Sequence, residues 1–204
     1  MQFIYDNLTA SVISGTVVLI LFTVQMRAMN TSIAQTSRNI ALNSAQTFAT
    51  WLEQDLQRVG RNREEGEKVI TELERETLED RSPTGHRLSS FSFKYGSGGT
   101  TITYEVDPED RTIGGQDRTV YQLTRQEGSD NDGQGPPTLG YFDLQFVDED
   151  SRAICPDGGC DPENNRDDIR AIRVHFSVIP PFQNEESTLE EVHRMVVVPY
   201  TPSL

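Results

Sequence analysis

Hydrophobic and polar positions follow three regimes along the chain. Residues 7 to 26, NLTASVISGTVVLILFTVQM, hold twenty positions without a charge, bounded by Asp6 and Arg27. At a rise of about 1.5 Å per residue such a helix reaches about 30 Å, the thickness of a bilayer's hydrocarbon core. After Arg27 the pattern becomes amphipathic. Ile33, Ile40, Ala41, Ala45, Phe48, Leu52, Leu56 and Val59 recur at helical steps, with Asn, Ser, Thr, Gln and Arg on the other face. No proline occurs before Pro83, and Gly60 is a reasonable stop. One helix from about residue 3 to residue 60 is therefore expected, its first half without a polar face. Residues 64 to 80, EEGEKVITELERETLED, predict a second short helix with Val69, Ile70, Leu73 and Leu78 inward; a strand in part of it is the alternative.

From Leu88 the period is two. LSSFSFKY, a GSGG turn and TTITYEV read as a hairpin, and TVYQLTRQ, GYFDLQFVDE, IRAIRVHFSVI and EVHRMVVVPY as four further strands. GSDNDGQGPP, residues 128–137, reads as a loop with no burial potential. In IRAIRVHFSVI the apolar face is Ile172, Val174, Phe176 and Val178, and His175 falls on the outer one. Strands joined by turns and loops imply a mainly antiparallel sheet. The expected class is α+β: a long N-terminal helix, hydrophobic then amphipathic, packed on an antiparallel domain. The divisions are residues 1–27 (apolar helix), 28–62 (its amphipathic continuation) and 63–204 (a β-rich domain).

The apolar segment is interrupted by Thr9, Ser11, Ser14, Gly15, Thr16 and Thr23. Such residues let helices approach closely, and hydroxyls can bond back to their own carbonyls. A secretory signal fits poorly, because MQFIYD has no Lys or Arg and no A-x-A site follows. Arg27 lies on the wrong side for an N-in anchor under the positive-inside rule. A leader removed before Met1 would account for both, and N-terminal sequencing would test it.

The net charge is −14, from 32 acidic and 18 basic residues. So acidic a chain repels phosphate backbones, so nucleic-acid partners are not expected. The two cysteines, Cys155 and Cys160 in CPDGGC, can close a small disulfide loop across a Pro-Asp-Gly-Gly turn, with reduced thiols as the alternative. A disulfide would place the domain outside a reducing cytoplasm. Asp130 and Asp132, then Asp161, Glu163 and Asp167, offer oxygen ligands at short spacing, but neither loop matches an EF-hand; calcium is a weak candidate beside solvated acidic loops. His86, His175 and His193 are scattered, and no nucleophile has an evident base, so no enzyme and no cofactor is expected.

The layout of a membrane-length helix running into an amphipathic one, then an antiparallel domain, resembles the type IV pilin and pseudopilin superfamily. ATWLEQDLQRVGRN, residues 49–62, is similar to the helix end of minor pilins and J-type pseudopilins of type II secretion, where LxxDLxxxG recurs; here it supplies Leu52, Asp55, Leu56 and Gly60. The order TITYEV, YQLTRQ, LGYFDLQFVDED, IRAIRVHFSV is similar to the same branch, and a late cysteine loop fits pilins generally. Met1 suits a processed pilin, but Tyr5 stands where Glu is usual, with Asp6 after it, and the membrane helix lacks the customary proline.

The resemblance implies a subunit of an extracellular filament that polymerises with other copies of itself. It would be stored in the inner membrane, handled there by assembly machinery, and end at the cell surface. Asp6 would pair with the Met1 amino group of a neighbour; capping the helix start from interface water is the other reading of Asp6. Gly15 would mark where the helix loosens, against a tolerated glycine in a continuous helix. Ile33, Ile40, Phe48, Leu52, Leu56 and Val59 would hold the domain. The alternatives are a minor pseudopilin at a tip, separated by its low abundance in sheared fibres, and a monomeric membrane-anchored binding module, separated by its failure to polymerise.

Overall fold

A computed structural model describes residues 2–61, 68–77, 85–155, 161–182 and 191–200, without side chains at 2–6 and 130–132. The fold is α+β: one long N-terminal helix and a nine-stranded antiparallel sheet. Helix α1 runs unbroken over Gln2–Leu56, 55 residues, about 80 Å at the standard rise. It ends four residues before the expected stop. Residues 57–60 then turn, and Gly60 (φ 70°) donates its N–H to the Lys94 carbonyl at 3.2 Å. A Cβ there would lie 3.1 Å from Val69 Cγ1 and 3.3 Å from Tyr200 Oη, so Gly60 supplies both the left-handed backbone and the clearance.

The strands are β1 (Ile70–Thr77), β2 (His86–Tyr95), β3 (Thr100–Ile113), β4 (Gln116–Glu127), β5 (Asp130–Gln134), β6 (Leu139–Val147), β7 (Ala153–Ile154), β8 (Ala171–Val178) and β9 (Val192–Pro199). Their order is β1-β2-β3-β4-β6-β8-β9, with β5 beside β4 and β7 beside β6. β4 meets β6 at one registered pair, Tyr121 opposite Leu139, and β5 takes the adjacent stretch of the β4 edge. A 3-10 helix, Pro162–Asp168, precedes β8.

Two expectations are corrected. The short helix expected within residues 64–80 is a strand where described, β1. Its Glu, Leu and Arg are good helix formers, but Glu72, Glu74 and Glu76 are exposed while Thr71, Leu73 and Arg75 are half-buried, a period of two that pairs with β2. Residues 128–137 are not merely a loop. β5 forms there, Pro136 is buried, and a Cβ on Gly133 would lie 3.2 Å from the Trp51 ring.

The core lies between α1 and one sheet face. Ala41, Ala45, Phe48, Leu52 and Leu56 meet Phe91, Phe93, Tyr104, Phe142, Phe146 and Phe176. Phe48 packs edge-on to Phe176 at 5.0 Å and against Phe142 at 6.0 Å. On β8 the buried alternates are Ile172, Val174, Phe176 and Val178. The sheet is rolled. Phe91 of β2 touches Phe146 of β6 at 5.9 Å, and Arg75 of β1 reaches Asp143 of β6. Four strand spacings in a flat sheet are about 19 Å, beyond an arginine's reach.

Candidate assembly surface

The apolar part of α1 is bare. Every described residue from Asn7 to Thr36 is exposed, and the domain begins to cover the helix only at Ser37. Val12, Val17, Leu19, Leu21, Phe22 and Val24 are all at least 48% exposed, so among the described residues nothing supplies their apolar surroundings. The helix is long and apolar enough to cross a membrane. Three of its hydroxyls are already satisfied along the rod. Ser11 donates to the Asn7 carbonyl at 2.9 Å, Thr16 to that of Val12 at 2.9 Å and Thr23 to that of Leu19 at 2.8 Å. These bonds hide polar atoms from an apolar neighbour, lipid or protein. Gly15 sits within the unbroken helix, and a Cβ there would meet nothing within 4 Å. Asp6 is helical, but its side chain, like Met1, lies outside the described residues.

The amphipathic face is placed more narrowly than its periodicity suggests. Phe48, Leu52, Leu56 and Val59 are buried in the domain core. Ile33 and Ile40 are each 41% exposed and do not join it. Ile33 lies before the domain starts; at the start, small Ser37, Ala41 and Ala45 make the contact instead, bringing the helix backbone close to the sheet. Ser37 Oγ accepts the Phe182 N–H at 2.9 Å.

A buried ionic circuit fixes the helix end to the sheet. Asp55 is in the last turn, where the helix dipole disfavours an anion, and it is 4% exposed. Arg125 of β4 explains it: its Nε and Nη2 both donate to the Asp55 carboxylate, the latter at 3.1 Å. Tyr104 of β3 donates its hydroxyl to the same carboxylate. Arg125 also donates to Glu127 at 2.6 Å, and Glu127 accepts from the Tyr95 hydroxyl of β2. Arg58 closes the circuit, 3.7 Å from Asp55 and over the Tyr95 ring at 5.8 Å.

The electrostatics follow. Burial opposes the Arg125 charge, but the hydrogen bonds to Asp55 and Glu127 outweigh it and hold the guanidinium more firmly protonated than usual. Burial, then the charge of Asp55 and the bond to it, pushes the Tyr104 hydroxyl well above its ordinary value. The bonds from Tyr95 and Arg125 hold the Glu127 carboxyl below the ordinary range.

A second buried pair joins Arg75 to Asp143, Nε to Oδ1 at 2.9 Å and Nη2 to Oδ2 at 2.8 Å, with Arg75 also donating to the Cys155 carbonyl at 3.4 Å. His175 is half-buried opposite Asp143. Burial and then Arg173 lower its pKa, with Asp143 acting against them. Cys155 is buried, disulfide-bonded and at φ 60°; Cys160 lies outside the described residues.

The acidic loops are committed to structure where they are described. Asp161 caps the 3-10 helix, accepting the Glu163 N–H at 3.0 Å, and lies 3.5 Å from Lys68. Glu163 accepts the Val69 and Ile70 N–H groups at 3.1 and 2.8 Å, tying that helix to β1. Asp167 offers its backbone carbonyl to Arg170 at 2.6 Å. The Asp130 and Asp132 side chains are outside the described residues. Among the described residues no three His, Cys, Asp or Glu side chains converge on one point. The calcium candidates Asp161 and Glu163 thus serve as a cap and a backbone clamp.

Sequence reasoning singled out Asp55 only as part of a motif and missed Arg125, Tyr104, Glu127, Arg75 and Asp143. One signal was available: an acid in a helix's last turn, which asks for a cation from elsewhere. Comparison with protein-family models, with curated proteins and with solved structures finds no match to this chain.

Proposed function

We propose that this chain is a structural subunit of an extracellular, type IV pilin-like filament, held in a membrane by α1 before assembly and packed through the same helix afterwards. The observation that carries this reading is the bare apolar half of an unbroken helix whose other half is built into a folded domain. Burying roughly 1,000–1,500 Å² of that surface against neighbouring copies gains tens of kcal/mol at about 25 cal/mol per Å², before ordering costs. Contacts of one rod with the next, displaced copy are heterologous and non-closing, which yields a helical fibre. Asp6 pairs with the Met1 amino group of a neighbour as each copy docks. A disulfide between Cys155 and Cys160 is consistent with an oxidising compartment.

A tip subunit of a secretion pseudopilus is the second reading, favoured by Leu52, Asp55, Leu56 and Gly60, all of which sit at the helix–sheet joint. Microscopy and subunit counting of sheared surface fibres separate the two: a main subunit dominates the fibre and a tip subunit is nearly absent. Asp6→Ala should leave membrane retention intact and slow or abolish fibre growth. Wild-type protein that remains a monomer in the membrane, with no fibre and no machine attached, overturns both readings.

A further inference from the structure

A groove of about 540 Å³ runs between the outer face of α1 and the segment after β5, lined by Asn43, Ser44, Thr47, Trp51, Gln134 and Pro136, with Phe48 at its floor. It continues along the helix past Gln46 and Gln54. None of these residues carries a charge, on a chain of net charge −14. Trp51 is the only tryptophan of the sequence and is half-buried. Its ring is held by Phe48 at 5.5 Å, by Tyr104 edge-on at 6.0 Å, and by the Gly133 backbone, where a Cβ would fall 3.2 Å from Cζ2. It is thus a rigid plate whose remaining surface faces the groove. The side chains of Asn43, Ser44, Thr47, Gln54 and Gln134 and the Trp51 indole N–H make no hydrogen bond among the described residues. Thr50, which lines the groove's continuation, spends its hydroxyl on the Gln46 carbonyl at 3.0 Å, as Thr36 outside the groove does on that of Ser32 at 2.8 Å.

We propose that this groove binds a neutral carbohydrate. A fixed aromatic plate offers its electron-rich face to the polarised C–H groups of a pyranose ring. Amides and hydroxyls both donate and accept, which matches sugar hydroxyls and leaves no charge for a uronate or phosphate. The volume lies within the range of small-ligand sites and accommodates two or three sugar units on an open face. The acidic surface elsewhere repels anionic glycans. The site does not depend on polymerisation, so its test stands apart from that of the filament reading.

The test uses the full chain in a polyoxyethylene detergent, which has no sugar head group, and reads the emission of Trp51. Neutral α- and β-linked glucose trimers and a galacturonate trimer are titrated in parallel. A saturable change with one neutral trimer, half-complete at about 1 mM, and at least about tenfold weaker binding of the uronate are expected. Asn43→Ala with Gln134→Ala, both at the groove rim, should weaken binding about tenfold or more with an unchanged circular dichroism spectrum. No response to either neutral trimer up to about 30 mM, equal binding of the uronate, or full binding by the double variant would overturn the proposal. So would Trp51 emission that follows protein concentration but not sugar, because the occupant would then be a second copy of the chain.

Discussion

Replacing Asp55 by alanine tests whether the joint between helix and sheet is electrostatic. The variant leaves Arg125, 5% exposed, with Glu127 as its remaining carboxylate, and removes the acceptor of the Tyr104 hydroxyl. Two donor bonds from one guanidinium are lost, each worth about 1.5–3 kcal/mol when charge-assisted, and a buried hydroxyl is orphaned at about 1–3 kcal/mol. These are not additive, and removing one partner of a buried pair typically costs about 3–5 kcal/mol. Both side chains are 6% exposed, so solvent screening takes little from this figure. The expected loss is about 4 kcal/mol, a large part of the about 5–15 kcal/mol that holds a domain folded. Asp55→Asn keeps the shape and one acceptor, and should lose about half as much. The assay is urea unfolding of the full chain in detergent, followed by Trp51 emission, since that ring lies 6.0 Å from Tyr104. Urea is preferred to guanidinium because it does not screen charge. The apolar variant Asp55→Leu, Tyr104→Phe, Arg125→Met should recover most of the stability, since a well-packed apolar replacement of a buried ion pair is often neutral. An Asp55→Ala loss under about 1 kcal/mol, or a triple variant as unstable as Asp55→Ala, would refute the electrostatic account.

Four further outcomes are expected. His175 has a lowered folded-state pKa, so below pH 6.5 the unfolded chain binds more protons and stability falls with pH. Glu127, lowered below 4.5, adds a loss as pH falls through its folded value; His175→Gln should flatten the upper part of this acid slope in urea midpoints taken from pH 7 to 4. Gly140→Ala places a Cβ 2.4 Å from Ser177 Oγ and 2.6 Å from Glu191 Oε2, and should cost about 1–3 kcal/mol in a thermal melt; Gly15→Ala meets nothing within 4 Å and should strengthen the helix by up to about 1 kcal/mol. The Tyr200 hydroxyl is buried without a partner among the described residues, so Tyr200→Phe should be neutral or stabilising by up to about 1 kcal/mol in the same melt.

The sequence disclosed elements whose signal is local. Strands β2, β3, β4, β6, β8 and β9 stand out as short runs of strand-forming residues bounded by turns, and α1 as an apolar run of membrane length followed by helical spacing after Arg27. β1 was obscured because ITELERET has helix-forming composition with a strand's period, and the pairing with β2 decides between them. β5 was obscured because Gly and Asp read as loop, while its support comes from the β4 edge and from Trp51 across the chain. Periodicity placed most of the helical face but not where its cover begins or which small residues carry it: Ile33 lies before the cover, and Ile40 lies beside the buried line of Ser37, Ala41 and Ala45 and stays exposed. Arg75–Asp143 and Arg125–Asp55 join positions 68 and 70 residues apart, and nothing near either residue announces its partner.

The continuity of α1 has a mechanical consequence. Tension applied to the bare end travels along a single rod with no hinge of proline and enters the domain only between Ser37 and Val59. There the load is shared sideways by many side chains loaded together in shear, with the Asp55 clamp at the far end of the seam. A pull on the rod must therefore slide the whole seam at once, and no single strand is peeled from its neighbour first.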